Sequence, residues 1–298
     1  MALKVSGVVK RFGELTAVDD VSFNMDAPGV FGLLGTNGAG KTTTIRMILG
    51  ILQKDGGEIS WDGKPVTRET VNFGYLPEER GIYPKAKVAE QLLYFAALRG
   101  MKPAAARKAL AFWLKRFDVE EYADRLAEQL SKGNQQKIQV ITALIHDPEL
   151  IILDEPFSAL DPINADVLKQ VIFDLTDRGK FIIMSSHQMS TVEEFCKQIL
   201  ILKSGKTVIA GDLKSIKHSY GRSNLTIDCE GDITELAKAE GIQFAQPSAS
   251  GYQFKIKSDD QAYRLLDRIL HEGYRLDKFE ISEPSLHEIF VEKVGEKQ

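Results

Sequence analysis

The sequence has few cysteines and no long apolar run, and these absences exclude several classes of protein. Its 298 residues include only two cysteines, Cys196 and Cys229, which are far apart and form no C-x-x-C pair. A disulfide framework and a cysteine-based zinc site are therefore not expected, and this cysteine usage suits the cytosol. The longest uninterrupted apolar run covers residues 92–98, far short of the roughly 20 residues that a membrane-spanning helix needs.

The chain also lacks a secretory leader and an excess of positive charge. Residues 1–5 have no long apolar core, so we expect no signal peptide. The net charge of −4 argues against a protein that coats nucleic acid, although it leaves room for a local basic face. The length allows one large domain, or a large and a small one. If this protein works at a membrane, we expect it to do so through a partner.

One glycine-rich segment fits the phosphate-binding pattern G-x-x-x-x-G-K-[ST] at every position, and it reads Gly35-Thr36-Asn37-Gly38-Ala39-Gly40-Lys41-Thr42. A buried strand is predicted before it and a helix after it, which favours a phosphate site over a glycine-rich turn with an incidental lysine. In such a loop, backbone N–H groups and the helix N-terminus face the anion. Lys41 is then expected to reach the β- and γ-phosphates of a nucleotide, and the Thr42 hydroxyl to ligate Mg²⁺.

The spacing of apolar residues predicts an α/β core that is interrupted by helices. The predicted strands cover residues 3–10, 18–25, 30–34, 59–61, 73–76, 150–153, 181–185, 199–202 and 207–210. The predicted helices cover residues 43–49, 88–100, 104–117, 135–146 and 164–177. The last of these helices lies between two strongly apolar strands, which is a βαβ unit of a parallel sheet.

A domain boundary is expected near residues 218–223, and the pattern changes beyond it. The predicted order there is strand 225–229, helix 233–240, strand 242–245, strand 252–257, helix 261–271 and strand 274–281. This β-α-β-β-α-β order matches the ferredoxin-like split βαβ arrangement. A last helix, at 285–294, follows Pro284. The sequence therefore predicts a small α+β domain at the C-terminal end.

A second chemical motif lies at the end of an apolar strand, where Asp154 and Glu155 follow residues 151–153. Acids in this position lie at the carboxyl edge of a sheet, where open α/β folds bind ligands. Together with a phosphate loop, Asp154 is expected to hold Mg²⁺, and Glu155 to orient and deprotonate the attacking water. The alternative is a strand followed by a solvated acidic turn, and the presence of the phosphate loop makes it the less favoured interpretation.

Between the loop and the acidic strand lies a segment that resembles the signature motif of ATP-binding cassette (ABC) ATPases, Leu130-Ser131-Lys132-Gly133-Asn134-Gln135-Gln136-Lys137. Residues 158–161 resemble the D-loop of that family, and Ser185-Ser186-His187 resembles its switch histidine. The motifs occur in the family's order over residues 1–212. The resemblance implies an α/β P-loop NTPase core, the ABC cassette, with a β-rich N-terminal subdomain and a helical insertion at about 84–148. The expected domains are a nucleotide-binding domain at 1–218 and a C-terminal accessory domain at 223–298.

The resemblance also implies that two copies pair head to tail, so that each ATP lies between Lys41 of one copy and Ser131 of the other. Phe12 occupies the place of the family's adenine-stacking aromatic, with simple core packing as the alternative, and His187 is expected to contact the γ-phosphate. With Glu155, His187 completes the expected catalytic pair. The residues expected to bind nucleotide are Phe12, Gly35, Thr36, Asn37, Gly38, Ala39, Gly40, Lys41, Thr42, Thr43, Ser131, Gly133 and Asn134. The residues expected to hold Mg²⁺ are Thr42, Asp154 and Glu78.

Three departures from the family pattern accompany this match. Lys132 and Asn134 stand where the signature usually has Gly and Gln, and Glu78, within residues 76–81, stands in place of a Mg²⁺-contacting glutamine. A carboxylate at position 78 adds negative charge beside phosphates, so it is not expected to be a simple substitute for the amide. The same variants and a similar C-terminal ending, residues 283–290, occur in bacterial exporter ATPases of the sodium-efflux and drug- or peptide-resistance type.

The function expected from this resemblance is that of an ATP-hydrolysing, energy-coupling subunit of an ABC exporter at the cytoplasmic face of the cell membrane. Its expected partners are a membrane permease and a second nucleotide-binding subunit, identical or different, and not nucleic acid. Tyr83, Val88 and Tyr94 are candidate contacts to the permease, with a place in the core as the alternative. A permease-free ABC ATPase acting on ribosomes or DNA, and a sensor module with a ligand-binding C-terminal domain, remain as other functions.

Overall fold

The protein is described by a computed structural model that covers residues 3–67, 69–79, 81–247 and 251–295. The chain divides into two compact units, Met1–Gly211 and Asp212–Gln298. Three residues of segments discussed above lie outside the described residues: Arg80 of the 76–81 motif, and Met1 and Ala2 at the N-terminal end of the sequence. The functional limits 1–218 and 223–298 stay a prediction.

A six-stranded sheet forms the centre of the first unit. Its strands are β3 (Gly29–Gly35), β6 (Phe73–Leu76), β7 (Leu150–Asp154), β8 (Phe181–Ser185), β9 (Cys196–Lys203) and β10 (Lys206–Asp212), in the order β10-β9-β3-β8-β7-β6. The neighbours from β9 to β6 pair in parallel. Every residue of β3, β7 and β8 is buried, because a parallel sheet is covered on both faces. The parallel arrangement brings the carboxyl ends of these strands to one edge.

A four-stranded sheet packs over this centre and confirms the β-rich N-terminal part. It consists of β1 (Leu3–Phe12), β2 (Leu15–Met25), β4 (Gly56–Trp61) and β5 (Lys64–Pro65), paired antiparallel in the order β2-β1-β4-β5. Alternate residues of its strands, such as Leu3, Val5 and Trp61, join one apolar core with Phe31 and Ile183 of the central sheet. Burial of these side chains is the main force that holds the two sheets together.

The helices of the first unit fill the connections between the strands. They are α1 (Lys41–Ile48), α2 (Val88–Leu98), α3 (Pro103–Arg116), α4 (Lys132–Leu144), α5 (Pro162–Asp177) and α6 (Met189–Phe195). Helices α2, α3 and α4 all lie between β6 and β7 in the chain, which confirms the predicted helical insertion. The short helix α6 and the two-residue strand β5 were not predicted, since neither is long enough to show a hydrophobic period.

The second unit has the predicted β-α-β-β-α-β order, preceded and followed by a helix. Its elements are α7 (Leu213–Ser219), β11 (Asn224–Cys229), α8 (Thr234–Ala239), β12 (Gln243–Pro247), β13 (Tyr252–Lys255), α9 (Asp259–His271), β14 (Leu276–Ser282) and α10 (Leu286–Val294). The sheet order is β12-β13-β11-β14, and each neighbouring pair of strands is antiparallel. Buried residues of β11, α8 and α9 form one core, including Leu225, Ile227 and Leu265. The ferredoxin-like prediction is confirmed.

A polar cluster ties α10 to the sheet of the second unit. The Glu288 carboxylate accepts hydrogen bonds from Lys255 Nζ, from Asn224 Nδ2 at 2.8 Å and from the Ser285 N–H at 2.8 Å. Ser285 caps the helix in return, since its Oγ accepts from the Glu288 N–H at 3.2 Å. Burial alone raises the pKa of Glu288, but the hydrogen bonds from Lys255, Ser285 and Asn224 outweigh it and lower the pKa to about 2.

The substitution Glu288→Gln is expected to destabilise the second unit at neutral pH. Because the folded-state pKa is lowered, the ionised carboxylate stabilises the fold above its ordinary pKa of 4.5, and this contribution is lost as the pH falls towards about 2. Glu288 is partly exposed, so the expected loss at pH 7 is only about 1 kcal/mol. Thermal or denaturant unfolding of the full chain, measured from pH 7 down to about pH 2, follows both the loss and its disappearance.

The matched control is Glu292→Gln, which removes an exposed carboxylate from the same helix. We expect the control to unfold like the unmodified chain at every pH. A Glu288→Gln variant that loses no stability at pH 7, or whose deficit grows as the pH falls below 4.5, contradicts the assigned role.

Candidate functional site: a phosphate loop beside a buried carboxylate

The phosphate loop joins β3 to α1, as its sequence predicts. Helix α1 begins after Gly40, whose φ of 105° is in the left-handed region; no side chain caps this helix and its first turn has no acidic residue. Its first N–H groups are therefore available to an anion. Lys41 is 8% exposed and donates from Nζ to the carbonyl oxygens of Gly35 at 2.9 Å and Thr36 at 3.2 Å. The loop thus concentrates positive charge and free donors at one point.

Asp154 at the end of β7 lies against this loop. Thr42 Oγ1 donates to Asp154 Oδ2 at 3.1 Å, and Ser185 Oγ donates to Asp154 Oδ1. Asp154 is 1% exposed, and burial raises its pKa, while the hydrogen bonds from Ser185 and Thr42 oppose that rise. A buried carboxylate at the edge of a phosphate site favours a cation nearby. The structure therefore brings the Thr42 side chain in the first turn of α1 to the side chains that end β7 and β8.

Glu155 and His187 form the second contact of the site. Glu155 Oε2 lies 2.8 Å from His187 Nδ1, and the exposed fractions of the two side chains are 10% and 64%. The Glu155 backbone has a φ of 52°, and its N–H donates to Ser185 Oγ at 3.1 Å. A left-handed conformation is unfavourable for a residue with a side chain, so the turn is held by its surroundings. A shielded carboxylate next to an exposed imidazole is a suitable acid–base pair.

The tip of the β9–β10 hairpin supports the loop from behind. Gly205 donates its N–H to the Ala39 carbonyl at 3.0 Å and accepts from the Asp19 N–H at 2.9 Å. Its φ is 81°, and a Cβ added there would lie 2.8 Å from the carbonyl oxygen of Ala17. Only glycine allows this approach. The sequence predicts the hairpin but gives no sign that its tip contacts the phosphate loop.

A depression of about 330 Å³ opens above the loop. It is lined by Ala17, Asn37, Gly38, Gly40, Lys41, Thr42, Thr43 and Glu78. Among the described residues no group of three or more His, Cys, Asp or Glu side chains converges on one point. The oxygen donors are instead Thr42, the buried Asp154 and the exposed Glu78. Mg²⁺ prefers a few hard oxygen ligands and completes its shell with phosphates and water, so these residues fit it.

The remaining predicted nucleotide contacts lie outside this depression. Phe12 is 49% exposed, with Lys10 Nζ 5.4 Å from its ring centroid, so it is not a core residue. Ser131, Gly133 and Asn134 are at the start of α4, and in the described part of the chain none of them lines the depression. Ser131 Oγ accepts from the Asn134 N–H at 3.2 Å and caps the helix. The signature segment is therefore separate from the depression above the phosphate loop.

A larger groove of about 730 Å³ lies between the central sheet and the helical insertion. Residues lining it include Ile51, Tyr75, Phe95, Leu98 and Gln139. Tyr83 stacks on Phe95 with ring centroids 5.9 Å apart.

Two of the three candidate permease contacts are at the surface of this region, and one is not. Tyr83 and Tyr94 are 53% and 51% exposed, so they are not core residues. The prediction that Val88 contacts a partner is wrong: it is fully buried, because it begins α2 against the chain at Arg125, whose carbonyl accepts from its N–H at 3.0 Å.

Sequence reasoning missed three residues that support the site. Ser185 received no role of its own, although it ends a buried strand directly opposite Asp154 in register. The other two are Gly205 and Gln136, the latter donating from Nε2 to the Pro156 carbonyl at 3.1 Å. Their contacts join segments far apart in the chain, which no local pattern predicts.

No helix in the described ranges is both long and apolar enough to cross a bilayer.

Comparisons with known proteins agree with this geometry in both units. The family model described as ABC transporter matches residues 18–158, and that described as ATP-binding protein DrrA1-3-like, C-terminal domain, matches residues 211–294. Among solved structures, one described as the ATP binding subunit of an ABC transporter superimposes with a TM-score of 0.69 at 30% identity, over 74% of this chain and 94% of that one.

Curated relatives extend the match along the whole chain. The linearmycin resistance ATP-binding protein LnrL of Bacillus subtilis is 28% identical over 98% of both chains. The uncharacterized ABC transporter ATP-binding protein YhaQ of Bacillus subtilis is 49% identical, again over 98% of both chains. From its phosphate loop, its buried Asp154 and these relatives, we conclude that the chain belongs to the ATP-binding proteins of ABC transporters and is an ATPase of that family.

Proposed function

We propose that this protein hydrolyses ATP to drive an ABC exporter, and that residues 1–218 are its catalytic domain and 223–298 its accessory domain. The observation that carries the proposal is the contact of Thr42 with Asp154 at the end of β7, directly before the pair of Glu155 and His187. Phosphoryl transfer to water requires a phosphate-binding loop, oxygen ligands for a metal ion and a base for the water. The loop, Thr42 with Asp154, and the shielded Glu155 fit these three roles.

The roles follow from position and chemistry. Lys41 and the backbone N–H groups of residues 36–43 bind the phosphates, because Lys41 supplies positive charge and the uncapped start of α1 supplies donors. Thr42, Asp154 and Glu78 would hold Mg²⁺, which neutralises charge on the phosphate oxygens when bound. Glu155 takes a proton from the attacking water, since its shielded carboxylate directly follows Asp154 and lies against His187. His187 orients Glu155 through their 2.8 Å contact and can turn towards the γ-phosphate.

The nucleotide-binding half-sites are completed between two copies. Ser131, Gly133 and Asn134 are exposed or half-buried at the start of α4 and do not line the depression above the loop. We infer that they close on the nucleotide of a second subunit, in head-to-tail pairing, with Phe12 stacked on the adenine from the loop side. Either a second copy of this chain or a similar subunit can supply this half.

The groove beside the helical insertion is the proposed docking surface for a membrane permease. Its apolar lining, with exposed Tyr83, Tyr94 and Leu98 nearby, suits an amphipathic helix of a partner. Attachment through this groove would hold the protein at the cytoplasmic face of the membrane. The resistance protein named above supports export as the direction, since the two chains match over their whole length. The relatives reported above are named as transporter or resistance ATP-binding proteins, which favours an exporter over a ribosome- or DNA-directed role.

The central prediction concerns Glu155→Gln. We expect ATP binding to persist, because Lys41 and the loop are unchanged, and hydrolysis to fall at least about 100-fold for want of a general base. The bound ATP should then hold two copies together, and the dimer is detected by size-exclusion chromatography with ATP and Mg²⁺.

Glu149→Gln is the matched control, because Glu149 is an exposed acid just before the opposite end of the same strand. The control should hydrolyse ATP normally and form no trapped dimer. Turnover by Glu155→Gln at the rate of the unmodified chain contradicts its role as the base.

A second prediction concerns the groove. The double substitution Tyr83→Ala and Tyr94→Ala is expected to release the protein from membranes in which its permease is present, because it removes two exposed rings beside the groove. Co-purification from detergent-extracted membranes measures the attachment, and ATP binding by the purified chain should be unchanged.

The control is Tyr263→Ala, which removes an exposed ring of the second unit that is 51% accessible. Retention of the permease by the double variant, or its loss from the Tyr263→Ala control alone, contradicts docking at the groove.

A further inference from the structure

Helix α4, called the signature helix below, is bound to the segment that follows the catalytic acid. Gln136 lies one to two turns into this helix, and its Nε2 donates to the Pro156 carbonyl at 3.1 Å. Pro156 directly follows Glu155 and is buried. A buried carbonyl without a donor is unfavourable, so this hydrogen bond fixes the position of the turn against the helix.

The segment after Glu155 is a pair of tight turns under backbone strain. The Ser158 N–H donates to the Glu155 carbonyl at 3.1 Å, and the Leu160 N–H donates to that of Phe157 at 3.3 Å. Glu155 and Ala159 have φ values of 52° and 64°, in the left-handed region that residues with a Cβ seldom adopt. Such a segment keeps its shape only while its surroundings hold it.

The signature helix holds both turns. Gln136 binds the first turn, and Gly133 packs on the second, where an added Cβ would lie 3.4 Å from the Ala159 carbonyl oxygen. Lys137, on the same helix, is buried and interacts electrostatically with Asp118 and Asp161. Asp161 ends the second turn and is the N-cap of α5. The helix and the two turns are therefore expected to move together.

In the proposed head-to-tail pairing, the two ends of this assembly serve different nucleotides. Ser131, at the start of the signature helix, closes on the nucleotide of the partner copy. Glu155 acts on the nucleotide of its own copy. Ser131 and Gln136 are five residues apart along one rigid helix, about 7.5 Å.

We propose that Gln136 is a positioning residue, which holds the turn carrying Glu155 to the signature helix, so that closure of this helix on the partner's nucleotide sets Glu155 for hydrolysis in its own copy. This inference rests on the proposed dimer.

The copy in which Gln136 acts can be tested with mixed dimers. Two versions of the full chain carry different affinity tags, and one of them carries Glu155→Gln, so that a single site hydrolyses ATP. Gln136→Met, which keeps side-chain volume and removes the donor, is placed either in the copy with Glu155 or in the copy with Gln at that position. The rate constant of a single turnover and the half-saturating ATP concentration are measured for both dimers.

The expected result is a same-copy effect. With Gln136→Met beside the intact Glu155, the single-turnover rate constant should fall about three- to tenfold, the range of one lost hydrogen bond, with the half-saturating ATP concentration unchanged. With Gln136→Met in the other copy, the rate should stay within about twofold of the unsubstituted dimer. Both dimers contain Gln136→Met and Glu155→Gln once each. They differ only in whether the two substitutions are in the same copy or in different copies, so a folding defect affects them alike. Gln170→Met, an exposed glutamine of α5, is the control for the substitution itself.

Two results overturn the proposal. A fall only when the substitution is in the other copy would mean that Gln136 supports Ser131 in closing over the active nucleotide. No fall in either dimer would mean that the hydrogen bond does not position Glu155. Failure of the proposed pairing itself is distinguishable, because the doubly tagged dimer would then not form with ATP at all.

Discussion

The buried carboxylate of Asp154 is the constraint on which the rest of the site depends. It is held by the Thr42 hydroxyl from the phosphate loop and by the Ser185 hydroxyl from the neighbouring strand. An ionised carboxylate at 1% exposure is costly, and burial raises its pKa accordingly. The parallel sheet meets this requirement, because it brings three strand ends together at one edge and places the uncapped start of α1 beside them.

Everything else around the nucleotide is arranged relative to this centre. Gly205 supports the loop from behind, Ser185 also fixes the Glu155 backbone, and Glu155 in turn contacts His187. The signature helix is bound to the turn after Glu155, not to the phosphate loop. One chain thus presents two half-sites that are joined by covalent and hydrogen-bonded links but that face different nucleotides in the proposed dimer.

Much of this could be predicted from the sequence, because the informative patterns are local. The phosphate loop, the acidic strand end and the β-α-β-β-α-β order each lie in short continuous segments, and the structure confirms the fold that they imply. The short helix α6 escaped prediction because seven residues carry little periodicity. Val88 was misjudged because an apolar residue at a helix start looks the same in a core and in an interface.

The supporting contacts could not be predicted for a different reason. Gln136 meets Pro156 and Gly205 meets Ala39 only after the chain has folded, and glutamine and glycine at those positions carry no pattern of their own. The register of β7 against β8 places Ser185 opposite Asp154, and register between parallel strands is not encoded in either strand alone.

The central claim is that each nucleotide is held by Lys41 of one copy and Ser131 of the other. Complementation between Lys41→Ala and Ser131→Ala tests it most directly, because each variant alone lacks one half of every site. In a mixed dimer, Lys41 of the Ser131→Ala copy faces Ser131 of the Lys41→Ala copy, so one complete site is restored. We predict ATP hydrolysis by the doubly tagged mixed dimer well above that of either parent dimer. Activity no higher than that of the two parents would contradict a site shared between copies.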